Sequence, residues 1–104
     1  MKTLHDHQGL TIRLTDERLS HILEHPEMHG MESAIEETLQ GPLEVIESFS
    51  DPEARLYFRF YFGTMVGDKF MCVVIKVHAD DAFVLTAYLT DRIKKGVVVW
   101  KAGK

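Results

Sequence analysis

Arg55-Leu56-Tyr57-Phe58-Arg59-Phe60-Tyr61-Phe62 alternates strictly between two kinds of side chain. A β-strand points successive side chains to opposite faces. One face therefore carries Leu56, Phe58, Phe60 and Phe62, and the other carries Arg55, Tyr57, Arg59 and Tyr61. The first set reads as a core face. The second joins planar guanidinium forks to phenolic hydroxyls, a combination suited to phosphate and base contacts. The bland alternative is a Tyr/Arg ladder that stabilises a sheet surface through cross-strand pairs.

On either side of this stretch the turn residues mark further strands. They are expected near 43–49, 69–78, 82–90 and 97–100, bounded by Ser50-Asp51-Pro52-Glu53, Gly63 to Asp68, Ala79-Asp80-Asp81 and Lys94-Lys95-Gly96. Met71, Val73, Ile75 and Val77 form one apolar set, and Phe83, Leu85, Ala87 and Leu89 form another. Both are expected to join the Phe face of 55–62 beneath the helices, because a slip of one residue would put a whole set in water. Placing Phe62 opposite Lys69, and Val77 opposite Phe83, gives an open face with a central row Arg59–Cys72–Tyr88. Rows Tyr57–Val74–Thr86, Tyr61–Phe70–Thr90 and Arg55–Lys76–Val84 flank it.

Towards the N-terminus the period changes to that of a helix. Thr15 reads as an N-cap followed by Asp16 and Glu17, with Leu19, Ile22 and Leu23 as the buried stripe and Pro26 as the stop. A second helix from about Met31 to Gln40 buries Ala34, Ile35 and Leu39, and Gly41-Pro42 ends it. Residues 1–9 read as a flexible arm, and Leu10 to Leu14 as a short strand. Residues 10–104 read as a single α+β domain. In that domain two N-terminal helices pack on one face of a four- to five-stranded antiparallel meander, and the opposite face is open.

Composition narrows the class. An apolar content of 45% and a charged content of 27% suit one globular domain with its own core. A single cysteine, Cys72, leaves no internal disulfide and fits a reducing compartment, so the cytoplasm is expected. Residues 1–14 carry none of the features of a signal peptide, and no stretch is long enough to cross a membrane. Charge is polarised. Residues 1–54 hold 3 basic and 12 acidic groups, whereas residues 55–104 hold 9 basic and 4 acidic groups. A local basic surface can thus bind a polyanion although the net charge is −4.

Two motifs bear on chemistry. His21-Ile22-Leu23-Glu24-His25 has the H-x-x-E-H spacing of an inverted zinc-protease helix. Pro26 stops the helix at the second histidine and no third ligand is in view, so a solvated histidine pair is the preferred reading and no metal is assigned. Thr86-Ala87-Tyr88-Leu89-Thr90-Asp91-Arg92 places Thr86, Tyr88 and Thr90 on one face of a strand. Lys94-Lys95 reads as a solvated basic turn, and Cys72 lacks a base partner.

The histidine-bearing segment His21 to Glu27, the strand Arg55 to Arg59, and the segment Thr86 to Arg92 resemble in their order the barnase–EndoU–colicin–RelE (BECR) nuclease superfamily. The likeness is greatest to its small phage-associated members and runs over roughly residues 10 to 100. It implies metal-independent, toxin-type RNA cleavage on the sheet face away from the helices, without a cofactor, and an antitoxin- or immunity-type partner. Carried over, Arg59 stabilises the phosphorane, Tyr88 with Thr86 orients or protonates the scissile phosphate, and His21 or His25 is acid or base. Arg55, Tyr57, Tyr61, Lys76, Thr90 and Arg92 would hold the RNA around them. The chain departs from such toxins in being acidic overall. The helix histidines would reach the open face only around a sheet edge, so His25, near the helix end, and His78, at a strand end of the open face, are the two alternatives. The rival readings are a binding module that holds RNA or another anionic ligand without cleaving it, and a homodimer formed through the same face.

Overall fold

The computed structural model describes residues 1–103. In chain order they form β1 (Lys2–His5), β2 (Thr11–Leu14), α1 (Asp16–Leu23), a 3-10 turn (Pro26–Met28), α2 (Glu32–Gln40) and β3 (Glu44–Glu47). Then follow β4 (Ala54–Thr64), β5 (Gly67–His78), β6 (Asp81–Thr90) and β7 (Val97–Lys101). The helices start and stop where their sequence signals stand. The Thr15 side chain accepts from the Arg18 N–H at 3.1 Å, Pro26 follows the end of α1, and Gly41 caps α2. No helix among the described residues is long and apolar enough to cross a membrane.

All the strands join one sheet in the order β1-β2-β6-β5-β4-β3-β7. This corrects the expected four- to five-stranded antiparallel meander, for three physical reasons. The segment read as a flexible arm contains β1, which pairs antiparallel with β2 from Lys2–Leu14 to His5–Thr11. Strand β2 then lies parallel to β6, through the pair Arg13–Phe83, so the sheet is mixed. Strand β7 is not the hairpin partner of β6 but pairs with β3 at the far edge. Residues 91–96 therefore cross over β5, β4 and β3 as a strap, a span of ~19 Å at the usual strand spacing.

Register is the second correction. Thr64 pairs with Gly67 around a two-residue turn at Met65-Val66, and the next pair inward is Tyr61–Lys69. Between these pairs, Phe62 and Gly63 on β4 face only Asp68 on β5, which makes a β-bulge. Gly63 takes φ 65°, open to glycine without strain, and its N–H donates to Asp68 Oδ1 at 2.8 Å. The extra residue shifts the pairing by one from the expected alignment. Arg59 faces Met71, Tyr57 faces Val73 and Phe58 faces Cys72. Arg55, Tyr57, Arg59 and Tyr61 therefore lie on the helix-covered face, and Leu56, Phe58 and Phe60 lie on the other.

Both faces are buried. Under the helices, Val45, Tyr57, Met71, Val73, Ile75, Val84 and Ala87 pack against Ile22, Met28, Ile35 and Leu39. On the outer face Ile46, Leu56, Phe58 and Cys72 form a second cluster, and Ile93 of the strap packs on it. The outer face is thus closed over part of its area rather than open.

The β1–β2 turn crosses the helix side to reach the other edge of the sheet. His7 N–H donates to Leu39 O at 2.9 Å, and the His7 ring lies 4.4 Å from the Trp100 ring on β7. An ion pair also ties this hairpin to the start of β6. Arg13 donates to both oxygens of Asp81, at 3.0 and 2.7 Å, and the hydrogen bond from Arg13 holds the Asp81 carboxyl below its usual range. Because the folded carboxyl titrates below its ordinary 3.8, the tie is complete above that value and is lost as pH falls through the lower, folded one. Asp81→Asn is expected to lower hydrogen-exchange protection at Ile12 to Leu14 while leaving β4 and β5 unchanged. Equal protection in the variant would show that the single strand pair suffices.

Candidate anionic-ligand site

The pleat places Thr86, Tyr88 and Thr90 on the outer face, because they alternate with Ala87 and Leu89 beneath the helices. Cys72 lies opposite Tyr88 and Phe58 lies opposite Cys72, so the row across the outer face is Phe58–Cys72–Tyr88. The strap leaves β6 at Thr90, whose hydroxyl meets Arg92 O at 3.4 Å, and Asp91 pairs with Lys69. Gly96 brings it down at the far side. A Cβ there would stand 2.5 Å from Glu47 O and 3.0 Å from Ile46 Cδ1, and the first neighbour is backbone that cannot swing away. Gly96→Ala is expected to lift the strap and cost about 2 kcal/mol, measured by urea denaturation. A loss below ~0.5 kcal/mol would mean that the strap is not seated there.

Beneath the strap is a cavity of about 440 Å³ lined by Phe58, Tyr88, Thr90, Arg92, Ile93, Lys94 and Lys95. That volume lies within the range of small-ligand pockets. Its floor is apolar, two hydroxyls project from one wall, and three cations edge it. Arg92, Lys94 and Lys95 are exposed and make no ion pair among the described residues. Next to the cavity the outer face carries an aromatic shelf. The Phe60 ring stands edge-on to Phe62 and to Phe70, with 4.9 Å between centroids in each case. Phe70 and Thr90 are cross-strand partners, which joins shelf to cavity. Phe62 is 81% exposed.

The thiol and the phenol of this row are both held in their neutral forms. Burial pushes the Cys72 thiol up to about 12. Burial and then the neighbouring Cys72 push the Tyr88 phenol above its ordinary 10. No histidine lines the cavity.

The residues singled out from sequence separate into two groups. Thr86, Tyr88, Thr90 and Arg92 come together on the outer face, with Lys76 at its far end, held by Asp51 at 3.1 Å and Glu53 at 3.9 Å. Arg59 is on the other side, donating to Gly41 O at 2.7 Å, with its guanidinium 5.9 Å from the Tyr61 ring. Tyr61 donates to Glu37 Oε1 at 2.8 Å under α2, and Tyr57 is buried beside Arg55. His21 and His25 are exposed at the end of α1, where His25 Nδ1 lies 3.8 Å from Glu27. His78 Nδ1 meets Glu53 Oε2 at 2.7 Å. The expected row Arg59–Cys72–Tyr88 therefore does not form, and the sheet separates Arg59 from Tyr88. His21, Glu24 and His25 belong to no cluster of three metal-ligating groups among the described residues.

Phe58, which reads as core in the sequence, Lys94 and Lys95, which read as a solvated turn, and Ile93, which carries no assignment, all line the site. Ile93, a lone apolar residue inside a polar connection, is the signal that the segment lies across a face instead of turning in solvent.

No protein-family model, curated protein or solved structure matches the chain. The functional conclusion rests on the chemistry of the site.

Proposed function

We propose that the protein binds single-stranded RNA on its outer sheet face and does not cut it. The observation that carries this reading is the continuity of an aromatic shelf, exposed at Phe62 and half-buried at Phe60 and Phe70, with a cavity edged by three cations that make no ion pair among the described residues. Bases stack on aromatic rings whatever their identity, and cations beside the rings follow the phosphates. Thr86 and Tyr88 add hydroxyls that can donate to phosphate or ribose oxygens.

Cleavage through the 2′-hydroxyl needs a proton acceptor near neutrality and a charged group over the phosphorus. Arg59, the group expected to serve the phosphate, leaves the sheet on the side away from Tyr88. The thiol and phenol of the outer face are both raised out of the useful range. These two observations favour binding over cleavage. The cytoplasm is the compartment we favour, since the one cysteine is buried and unpaired.

The test is fluorescence anisotropy with a labelled single-stranded oligoribonucleotide, whose length is checked on a gel after incubation. Three phosphate contacts give a log–log salt slope of about −2. Phe62→Ala, at an exposed position that the fold does not need, is expected to weaken binding about tenfold through the loss of one stacked base. Intact RNA is expected throughout. Cyclic-phosphate ends that disappear in Tyr88→Phe would restore the nuclease reading, and an unchanged affinity in Phe62→Ala would remove the shelf from the site.

A further inference from the structure

Strand β7 ends the sheet, so one of its edges carries backbone N–H and C=O groups with no strand beside them. Proteins usually protect such an edge with charge, proline or a covering segment. Here Val97, Val98 and Val99 are 48%, 53% and 47% exposed, an apolar run on an open edge broken only by a bulge at Val99. The chain segment that carries this run has charge of one sign. Residues 92–104 hold 5 basic and 0 acidic groups, with Lys94 and Lys95 before the strand and Lys101 at its end.

We propose that β7 is a docking edge for an extended acidic–apolar segment of a protein partner, added to the sheet as an eighth strand. Main-chain hydrogen bonds would supply affinity, and alternate side chains would supply specificity. The inner edge of β7 already has such a neighbour. Strand β3 reads Glu44-Val45-Ile46-Glu47, and its glutamates lie opposite Lys101 and Val97. A segment of the same character on the free edge would repeat that pattern of acids around an apolar centre. On the outer face a cavity of about 440 Å³, lined by Ile46, Phe49 and Val98 with Glu44, Lys94 and Lys95 at its polar rim, offers room for one side chain from the added strand.

A second copy of this chain fits less well. Antiparallel pairing of β7 with its own copy would bring Lys94 and Lys95 of one molecule towards Lys101 of the other, and like charges across a strand pair are unfavourable.

The test uses labelled peptides and the intact protein. The probe is a peptide with the sequence of residues 43–49, Leu-Glu-Val-Ile-Glu-Ser-Phe. A second peptide carries lysine for both glutamates, and a third is the acidic peptide with alternate backbone amides N-methylated. The acidic peptide is expected to bind, the lysine peptide about tenfold more weakly, and the methylated one not at all. Lys101→Glu, which lies outside the RNA site, is expected to narrow or reverse the preference between the first two. Equal binding of the acidic and lysine peptides, or retained binding of the methylated one, would overturn the proposal. So would sedimentation of the protein as a dimer that Val98→Arg dissociates, since the edge would then belong to a second copy. RNA affinity is measured on the same Lys101→Glu sample, so failure of this edge and failure of the RNA site are read separately.

Discussion

Asp6→Ala is expected to lower the stability of the fold by about 3–4 kcal/mol, the largest effect of any single polar substitution outside the ligand site. Asp6 is buried, and its two carboxylate oxygens accept three hydrogen bonds. Oδ1 takes the N–H groups of Gln8 and Leu10, each at 2.9 Å, and Oδ2 takes the Tyr57 hydroxyl at 2.7 Å. Opening of the turn would return the two N–H groups to water. The Tyr57 hydroxyl cannot follow, because it belongs to a buried strand residue 1% exposed. Without an acceptor it bears its full desolvation penalty. The urea midpoint should fall at unchanged slope. A shift worth less than ~1 kcal/mol would mean that water replaces the carboxylate.

The same pair predicts a response to alkali. Burial, and then the hydrogen bond to Asp6, raise the Tyr57 phenol well above its ordinary 10. The neutral phenol is the form that the fold favours, so its contribution is complete below pH 10 and is lost as pH rises from there towards the folded value. Tyr57→Phe should flatten the stability curve on that limb. It removes only its own share, since Tyr61 and Tyr88 are raised as well.

Reversing the strap's charge is expected to have the largest effect on binding. The triple substitution Arg92→Glu, Lys94→Glu and Lys95→Glu should weaken single-stranded RNA on the order of 100-fold at low salt and flatten the salt slope towards zero. All three side chains are exposed, so the fold should be retained. Arg59→Glu changes the net charge in the same direction but on the opposite face, and should alter affinity by no more than about twofold, an effect of long-range field alone. Similar losses in both variants, scaled by charge, would show that RNA responds to net charge and not to the strap.

Much of the local structure was legible in the sequence, because local structure has local causes. Thr15, Pro26 and Gly41-Pro42 set the helix ends, and strict alternation marked β4. The pairs Cys72–Tyr88 and Val74–Thr86 also stand as expected, although the turn pairs Val77 with Ala82 rather than Phe83. An irregularity between Val74 and Ile75 absorbs that difference, with Leu85 as the extra residue on β6.

What stayed hidden depends on distant partners. Gly63 looked like an ordinary turn glycine, yet its bulge moves β4 by one residue and exchanges its two faces. The apolar face of β4 reads as the helix-covered one only if a single face of the sheet is covered. In fact the strap buries Leu56 and Phe58, while Asp6 and Glu37 satisfy the hydroxyls of Tyr57 and Tyr61 beneath the helices. Nothing local announces that Asp6 serves Tyr57, 51 positions away in sequence. The half of the site on a single strand, Thr86 to Thr90, was readable from parity. Arg59 was misplaced because its position relative to Tyr88 depends on a register set elsewhere.

Amide chemical-shift mapping by NMR during titration with a short single-stranded oligoribonucleotide tests the outer-face site most directly. Perturbations centred on Tyr88, Thr90 and Ile93 to Lys95, and extending to Phe62 and Phe70, are the expected result. Perturbations centred on Arg59, Gly41 and the end of α1, or none at saturating RNA, would contradict it.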